Sequence, residues 1–261
     1  MSASFSLRVS DLKIVVNMAD SNSVLEQVED RLRRGVGFAL ATLNLDHLVK
    51  LRHMDAFRHA YAQQDLVTAD GNPIVWLSRL ARRPVSLVPG SDLVEPLIRL
   101  ATREGVPVAL LGATPETLER AAAYLTERNP GLNIVACLAP SRNFDPQGEE
   151  ASRMIESLQA AGARLAFLAL GAPKQEIFAA RCRAALPGVG FVSVGAGLDF
   201  LAESQRRAPL WMRRAALEWL WRMMSDPRRL GRRYASCAML LPGMTVAVLA
   251  SARMLTDRAP T

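Results

Sequence analysis

Residues 164–176 read RLAFLALGAPKQE, and the fold turns on this stretch. Residues 165–170 form an unbroken apolar run, short enough for a strand and stopped by Gly171. Ala172 and Pro173 continue the turn, and Lys174, Gln175 and Glu176 open a helical pattern that runs into Arg183. A strand without polar alternation is one buried on both faces, as in a parallel sheet. The same grammar recurs on either side. Residues 37–43 (GFALATL), 106–112 (VPVALLG) and 191–195 (FVSVG) read as further buried strands. Residues 24–34 read as a helix with Ser23 as its N-cap. Residues 47–64 read as one helix, and residues 115–128 as another with Pro115 in its first turn. Strands alternating with helices predict an α/β fold, a Rossmann-like parallel sheet covered by helices on both faces.

Composition narrows the setting. Half of the 261 residues are hydrophobic, enough for a sizeable core. Cys137, Cys182 and Cys237 are scattered and lack a CxxC pair, which fits a reducing compartment without disulfides. Residues 1–12 carry no apolar h-region, so no signal peptide is expected. The net charge of +7 is concentrated: between Ser204 and Tyr234 nine arginines face two acids, Glu218 and Asp226. Trp211, Trp219 and Trp221 are interleaved with them, as are Met212, Met223 and Met224. Arginine beside tryptophan suits a membrane interface; a solvated helix face is the plainer reading. Residues 235–252 hold no charge, with Pro242-Gly243 in their middle. They read as a surface-lying or loosely inserted segment rather than a spanning helix, or as a tail helix packed on its own domain or on another subunit. A boundary near Ser204 divides an α/β core, 1–203, from a basic Trp/Arg-rich appendage with an apolar tail, 204–261.

Two constellations carry chemistry. Thr42 and Asn44 close one strand, and Asp70-Gly71 follows residues 65–69. Ligands of open α/β sheets sit beyond the carboxyl ends of strands, and a carboxylate beside a glycine can approach a substrate as a general base. The same residues also read as a turn with a helix cap. The second constellation is the turn from Gly171 to Glu176, where a glycine, a helix N-terminus and Lys174 can cradle an anion such as a pyrophosphate. Gly112-Ala113-Thr114-Pro115 and Gly195-Ala196-Gly197 are similar turns. No GxGxxG, no GxxxxGK[ST] and no DxD occurs. His47, His53 and His59 stand six apart, a spacing that does not stack them on a helix, so they read as polar-face residues and not a metal site.

Together these segments resemble the WecG/TagA/CpsF family (glycosyltransferase family 26). The matching stretches are residues 42–76, VPGSDLV, LLGATPETLERAAAYL, LGAPKQE and residues 191–234, so the resemblance covers about residues 41–234. It implies transfer of N-acetylmannosamine, its uronic acid or glucose from a UDP-sugar to a polyprenyl-diphosphate-linked acceptor in cell-surface polysaccharide synthesis. It implies an inverting reaction without metal or other cofactor, at the inner face of the plasma membrane. Asp70 is then the base, with Thr42 and Asn44 beside it. Gly112, Gly171, Lys174, Gln175, Glu176, Gly195 and Gly197 fall on the donor side. Arg207, Arg213, Arg214, Arg222 and Trp211 fall in the acceptor-diphosphate and membrane region. The implied partners are the UDP-sugar, the lipid-linked glycan and an anionic membrane, with self-association open and no nucleic acid. One departure is Leu87, where the resemblance leads one to expect an arginine three residues before Gly90; Arg82 and Arg83 are the nearby candidates to replace it. Other readings remain at this point: a nucleotide-cofactor oxidoreductase, a non-enzymatic membrane scaffold and, ranked last, a nucleic-acid-binding protein.

Overall fold

The computed structural model describes residues 4–204, 208–209, 211–212, 216–225 and 227–256. The chain opens with an antiparallel hairpin, β1 (Phe5–Val9) and β2 (Leu12–Val16), whose apolar residues alternate inward. Helix α1 (Ser21–Arg34) is capped by Asp20, not Ser23. Ser23 completes a capping box: its amide donates to the Asp20 carboxylate at 2.8 Å, and its Oγ accepts the Asp20 amide at 3.1 Å. Strand β3 (Phe38–Leu43) follows. The segment expected to be one helix is two, α2 (Leu45–Leu51) and α3 (Asp55–Ala62). The break at residues 52–54 is sealed by Arg58, which donates to the Leu51 carbonyl at 2.9 Å.

Next come β4 (Leu66–Ala69), α4 (Asn72–Leu80), α5 (Gly90–Arg103), β5 (Val108–Gly112) and α6 (Pro115–Arg128). Pro115 sits in the first turn of α6, and Thr114 caps it through the Thr117 amide. Then follow β6 (Ile134–Leu138), α7 (Glu149–Ala160), β7 (Leu165–Ala169), α8 (Lys174–Ala185), β8 (Gly190–Ser193) and α9 (Gly197–Leu201). Helices α10 (Glu218–Ser225) and α11 (Pro227–Thr256) close the described chain.

Six parallel strands form one sheet in the order β4-β3-β8-β7-β5-β6. Successive side chains serve opposite layers. Phe38, Leu40, Leu165 and Phe167 join α1, α5 and α6 in one core cluster. Ala39, Ala166 and Leu168 join α7 and α8 on the other face, while Ala41 and Leu43 join α2, α3 and α4 there. Each large side chain sealed this way contributes roughly 1.5–3 kcal/mol.

Helix α11 is one continuous helix packed on α2 and α4. Its buried stripe is Leu230, Cys237, Leu240, Met244 and Val248, spaced seven, three, four and four apart, as one helix face requires. The packed-tail reading of this segment therefore holds for one face. The appendage is not uniformly basic: nine of its arginines fall before Tyr234, and residues 235–252 of the helix carry no charge.

Candidate active site

Because all six strands run parallel, their carboxyl ends line one edge of the sheet. That edge receives Asn44 from β3, Asp70 from β4, Gly112 at the end of β5, and the turns after β7 and β8. At one end, Thr42 Oγ1 and Asn44 Nδ2 both point donors at Asp70 Oδ2, at 3.4 and 3.5 Å. The Asp70 amide donates to the Leu43 carbonyl at 2.7 Å, which fixes the carboxylate beside β3. Asn44 also caps α2 through the His47 amide at 3.0 Å. Asn44 thus caps α2 with one end of its amide and faces the Asp70 carboxylate with the other. Gly71, at φ 116°, turns the chain into α4.

Beneath Asp70 lies a polar interior. His47 is buried, with Nδ1 3.3 Å from the Tyr61 hydroxyl and its ring edge-on to Phe57 and Tyr61. It is not a polar-face residue, because the break after α2 folds α3 back over it. Burial pushes its pKa down to about 3, so it is neutral. The Tyr61 hydroxyl is held well above its usual range by burial, then by Glu176 and Asp70. His53 and His59 are exposed, as expected. Among the described residues no cluster of His, Cys, Asp and Glu could hold a metal ion.

The donor-side residues divide. Gly112 has φ 110°, and a Cβ there would lie 2.4 Å from the Ala169 carbonyl oxygen, so glycine lets β5 end against β7. Gly171 (φ 70°) and Gly195 (φ 55°) face open space, while Gly197 packs close to Ser91 and Val94. Gln175 is buried and bridges two turns: its Oε1 accepts the Gly195 amide at 3.2 Å, and its Nε2 donates to Glu176 Oε1 at 2.8 Å. Glu176 is buried too, and burial pushes its pKa up to about 7. Both hold the turns from inside rather than lining open space.

Lys174 does line open space. With Thr114, Ser141, Arg142, Phe144 and Leu170 it borders a cleft of about 390 Å³. The cleft lies where β5 leads outward to β6 and β7 leads inward to β8, a topological switch point. Ser141, Arg142 and Phe144 escaped the sequence reading because their loop has no periodicity. Its run of Pro140, Ser141, Asn143, Asp145 and Pro146 was the available signal.

Leu87 is exposed and pairs in a parallel bridge with Ala69, next to Asp70. Arg82 and Arg83 follow the C-terminus of α4, at the opposite end of that helix from Asn72. Trp211 is 64% exposed. Arg207, Arg213 and Arg214 lie outside the described residues; Arg222 falls on α10 with its side chain outside the description.

The model of the glycosyl transferase WecG/TagA/CpsF family matches residues 9–257. Spanning nearly the whole chain, from the hairpin to the end of α11, this match places the protein in that glycosyltransferase family.

Proposed function

We propose that the protein transfers a hexose-type sugar from a UDP-sugar to a polyprenyl-diphosphate-linked acceptor, with inversion and without a metal. The observation that carries this reading is the Asp70 carboxylate at the sheet edge, flanked by Thr42 and Asn44. The cleft beyond β5, β6 and β7 is its counterpart. Three strand spacings, about 14 Å, separate β4 from β7. A nucleotide diphosphate sugar is elongated and suits an edge of this kind, with its nucleotide in the cleft and its sugar toward Asp70. A cleft of about 390 Å³ falls within the usual range for small-ligand sites.

The acceptor hydroxyl attacks the anomeric carbon, and the bond from that carbon to the diphosphate oxygen breaks. Asp70 takes the hydroxyl proton as the new bond forms. Thr42 and Asn44 orient its carboxylate. The charge released onto UDP is met by Lys174, Arg142 and the N-terminal amides of α8. Purified protein given a panel of UDP-sugars and a synthetic polyprenyl-diphosphate glycan is expected to turn over one of them, with activity kept in EDTA. Loss in EDTA that Mg²⁺ or Mn²⁺ restores would contradict metal independence. UDP is expected to raise the thermal midpoint where NADH does not; the reverse would favour the oxidoreductase reading.

The acceptor's lipid places the reaction at a membrane, and α11 offers a docking face. Met239 and Val246 are 77% and 68% exposed on the side opposite the buried stripe. Arg228 and Arg232 are exposed at its start, and Trp219 packs edge-on against Tyr234 to join α10 to it. The stretch Leu230–Ala250 is long and apolar enough to cross a bilayer. Crossing would strip its buried stripe from α2 and α4, so we read it as lying in the interface, peripheral to the cytoplasmic leaflet. The chain is expected to sediment with anionic vesicles, less so as salt rises. Arg228→Gln with Arg232→Gln should weaken the salt-sensitive part, and Met239→Asp with Val246→Asp the salt-insensitive part. Equal binding to neutral and anionic vesicles, unmoved by either pair, would leave this face merely solvated.

A further inference from the structure

A line of charged groups runs from the C-terminal helix to the turn after β7. Arg233 on α11 places Nε 3.1 Å from Asp46 Oδ1. Asp46, on α2, has a side chain only 9% exposed, and its other oxygen lies 2.8 Å from Lys50 Nζ. Lys50, one turn along α2, donates to the Ala172 carbonyl at 2.9 Å. Ala172 lies between Gly171 and Pro173 in the turn that leads to Lys174 and Gln175. Ala172 and Leu241 of α11 also pack against the same apolar cluster.

These contacts link the turn to α11 through two ion pairs and one hydrogen bond. Asp46 is one buried negative charge shared by two cations. An ammonium has three donors and no fixed plane, so its direction follows the acceptors around it. With Arg233 present, Asp46 is divided between two partners, and Lys50 serves the Ala172 carbonyl as well. Without Arg233, the full field of Asp46 falls on Lys50 and draws the ammonium away from the turn.

We propose that Asp46 and Lys50 are positioning residues that couple docking of α11 to the Gly171–Gln175 turn, so that the seating of the C-terminal helix sets affinity for the nucleotide donor. This rests on the reading of that turn as part of the donor site. A helix that meets the membrane on its outer face and the donor turn through its inner face makes donor binding responsive to where the enzyme is.

The test is calorimetric titration of UDP into the full chain, wild type and variants, with donor KM and kcat measured beside it. Lys50→Met should weaken UDP binding about tenfold and raise donor KM to match, leaving kcat at saturating donor within twofold. Arg233→Gln should weaken it several-fold, and Arg233→Lys should restore most of the loss. The double variant Lys50→Met with Arg233→Gln should be no weaker than Lys50→Met alone, because both act through one carbonyl. Purely structural roles would lower the thermal midpoint, leave KM in place and show no rescue. Should Lys50→Met fail to fold, the partly exposed Arg233 pair, Gln against Lys, decides alone. Wild type that binds UDP while the variants bind it equally, or with fully additive losses, overturns the coupling. Wild type that does not bind UDP overturns the donor reading itself, and the coupling with it.

Discussion

Asp70→Asn is expected to lower turnover at saturating donor and acceptor by a hundredfold or more while UDP still binds. General bases contribute ~10²–10⁴-fold, and an amide cannot accept the acceptor's proton. The substitution is nearly isosteric. The amide carbonyl oxygen still accepts from Thr42 and Asn44, and the Asp70 backbone amide keeps its bond to Leu43. Folding should therefore survive, which a thermal midpoint near that of the parent would establish. Asn44→Asp is the companion variant. Its carboxylate still caps α2 through the His47 amide, so the helix end is preserved. It removes the Nδ2 donor and puts a like charge beside Asp70, which raises the carboxylate's pKa. The activity profile should then shift to higher pH with little change in stability. Full activity of Asp70→Asn would remove the residue from the mechanism, and unchanged polymer synthesis in cells carrying it would favour a scaffold.

The sheet was legible because its strands are buried on both faces. Residues 37–43 and 164–171 contain no alternation that a helix or a half-wet strand would require, and Gly112, Gly171 and Gly195 mark the ends of the runs 106–112, 164–171 and 191–195. The edge strand β6 is only partly buried, and its IVACL sequence lacks that contrast. The N-terminal hairpin does alternate, at Phe5, Leu7 and Val9 and at Ile14 and Val16, but it lies outside the parallel sheet and has no neighbouring helix pattern to mark it. Asp-Gly at a strand end reads equally as a turn, so it was the family resemblance that singled out Asp70; the structure sets it at the sheet edge beside Thr42 and Asn44. Other roles around it were not legible. Gln175 and Glu176 look like ligands because they are polar, yet their partners are Gly195, twenty residues on, and Gln64, which donates to the Glu176 carbonyl. His47 gains its burial from Phe57 and Tyr61 only after the chain breaks at residues 52–54. The bond from Lys50 to Ala172 joins residues 122 apart, beyond any local pattern. What local sequence encodes is the period of each element; what it does not encode is which polar group the sheet order will seal inside.

The second large effect concerns two of those sealed groups, and it is an effect on stability. Glu176 has a pKa raised to about 7 from an ordinary 4.5, chiefly by burial, against smaller opposing contributions from Gln175 and Lys50. Its Oε2 is buried without a hydrogen-bond partner, which suits a neutral acid better than a carboxylate. Between pH 4.5 and 7 the unfolded chain releases this proton and the folded chain keeps it, so stability falls as pH rises through that window. His47 acts in the other sense. Its pKa is lowered to about 3 from 6.5 by burial, with Lys50 and Arg233 adding to the effect and Asp46 opposing it. Between pH 6.5 and 3 the unfolded chain takes up a proton that the folded chain refuses, so stability falls as pH falls. The two slopes oppose each other between pH 4.5 and 6.5, and wild type should be nearly flat there with respect to this pair. Replacing either residue unmasks the other. Glu176→Gln keeps an acceptor for the Gln175 amide and removes the proton, so its urea midpoint should climb from pH 4.5 to 6.5. His47→Asn should show the opposite, falling from pH 4.5 to 7. A group bound by one proton in only one of the two states changes stability by about 1.4 kcal/mol per pH unit, so each unmasked slope should total on the order of 3 kcal/mol across its window. The remaining carboxylates titrate alike in parent and variant, so the difference between their urea curves isolates the replaced group. Parallel curves for wild type and Glu176→Gln between about pH 5 and 7 would mean that Glu176 is ionised in the folded chain, and that the turn holding Gln175 and Gly195 rests on a buried charge.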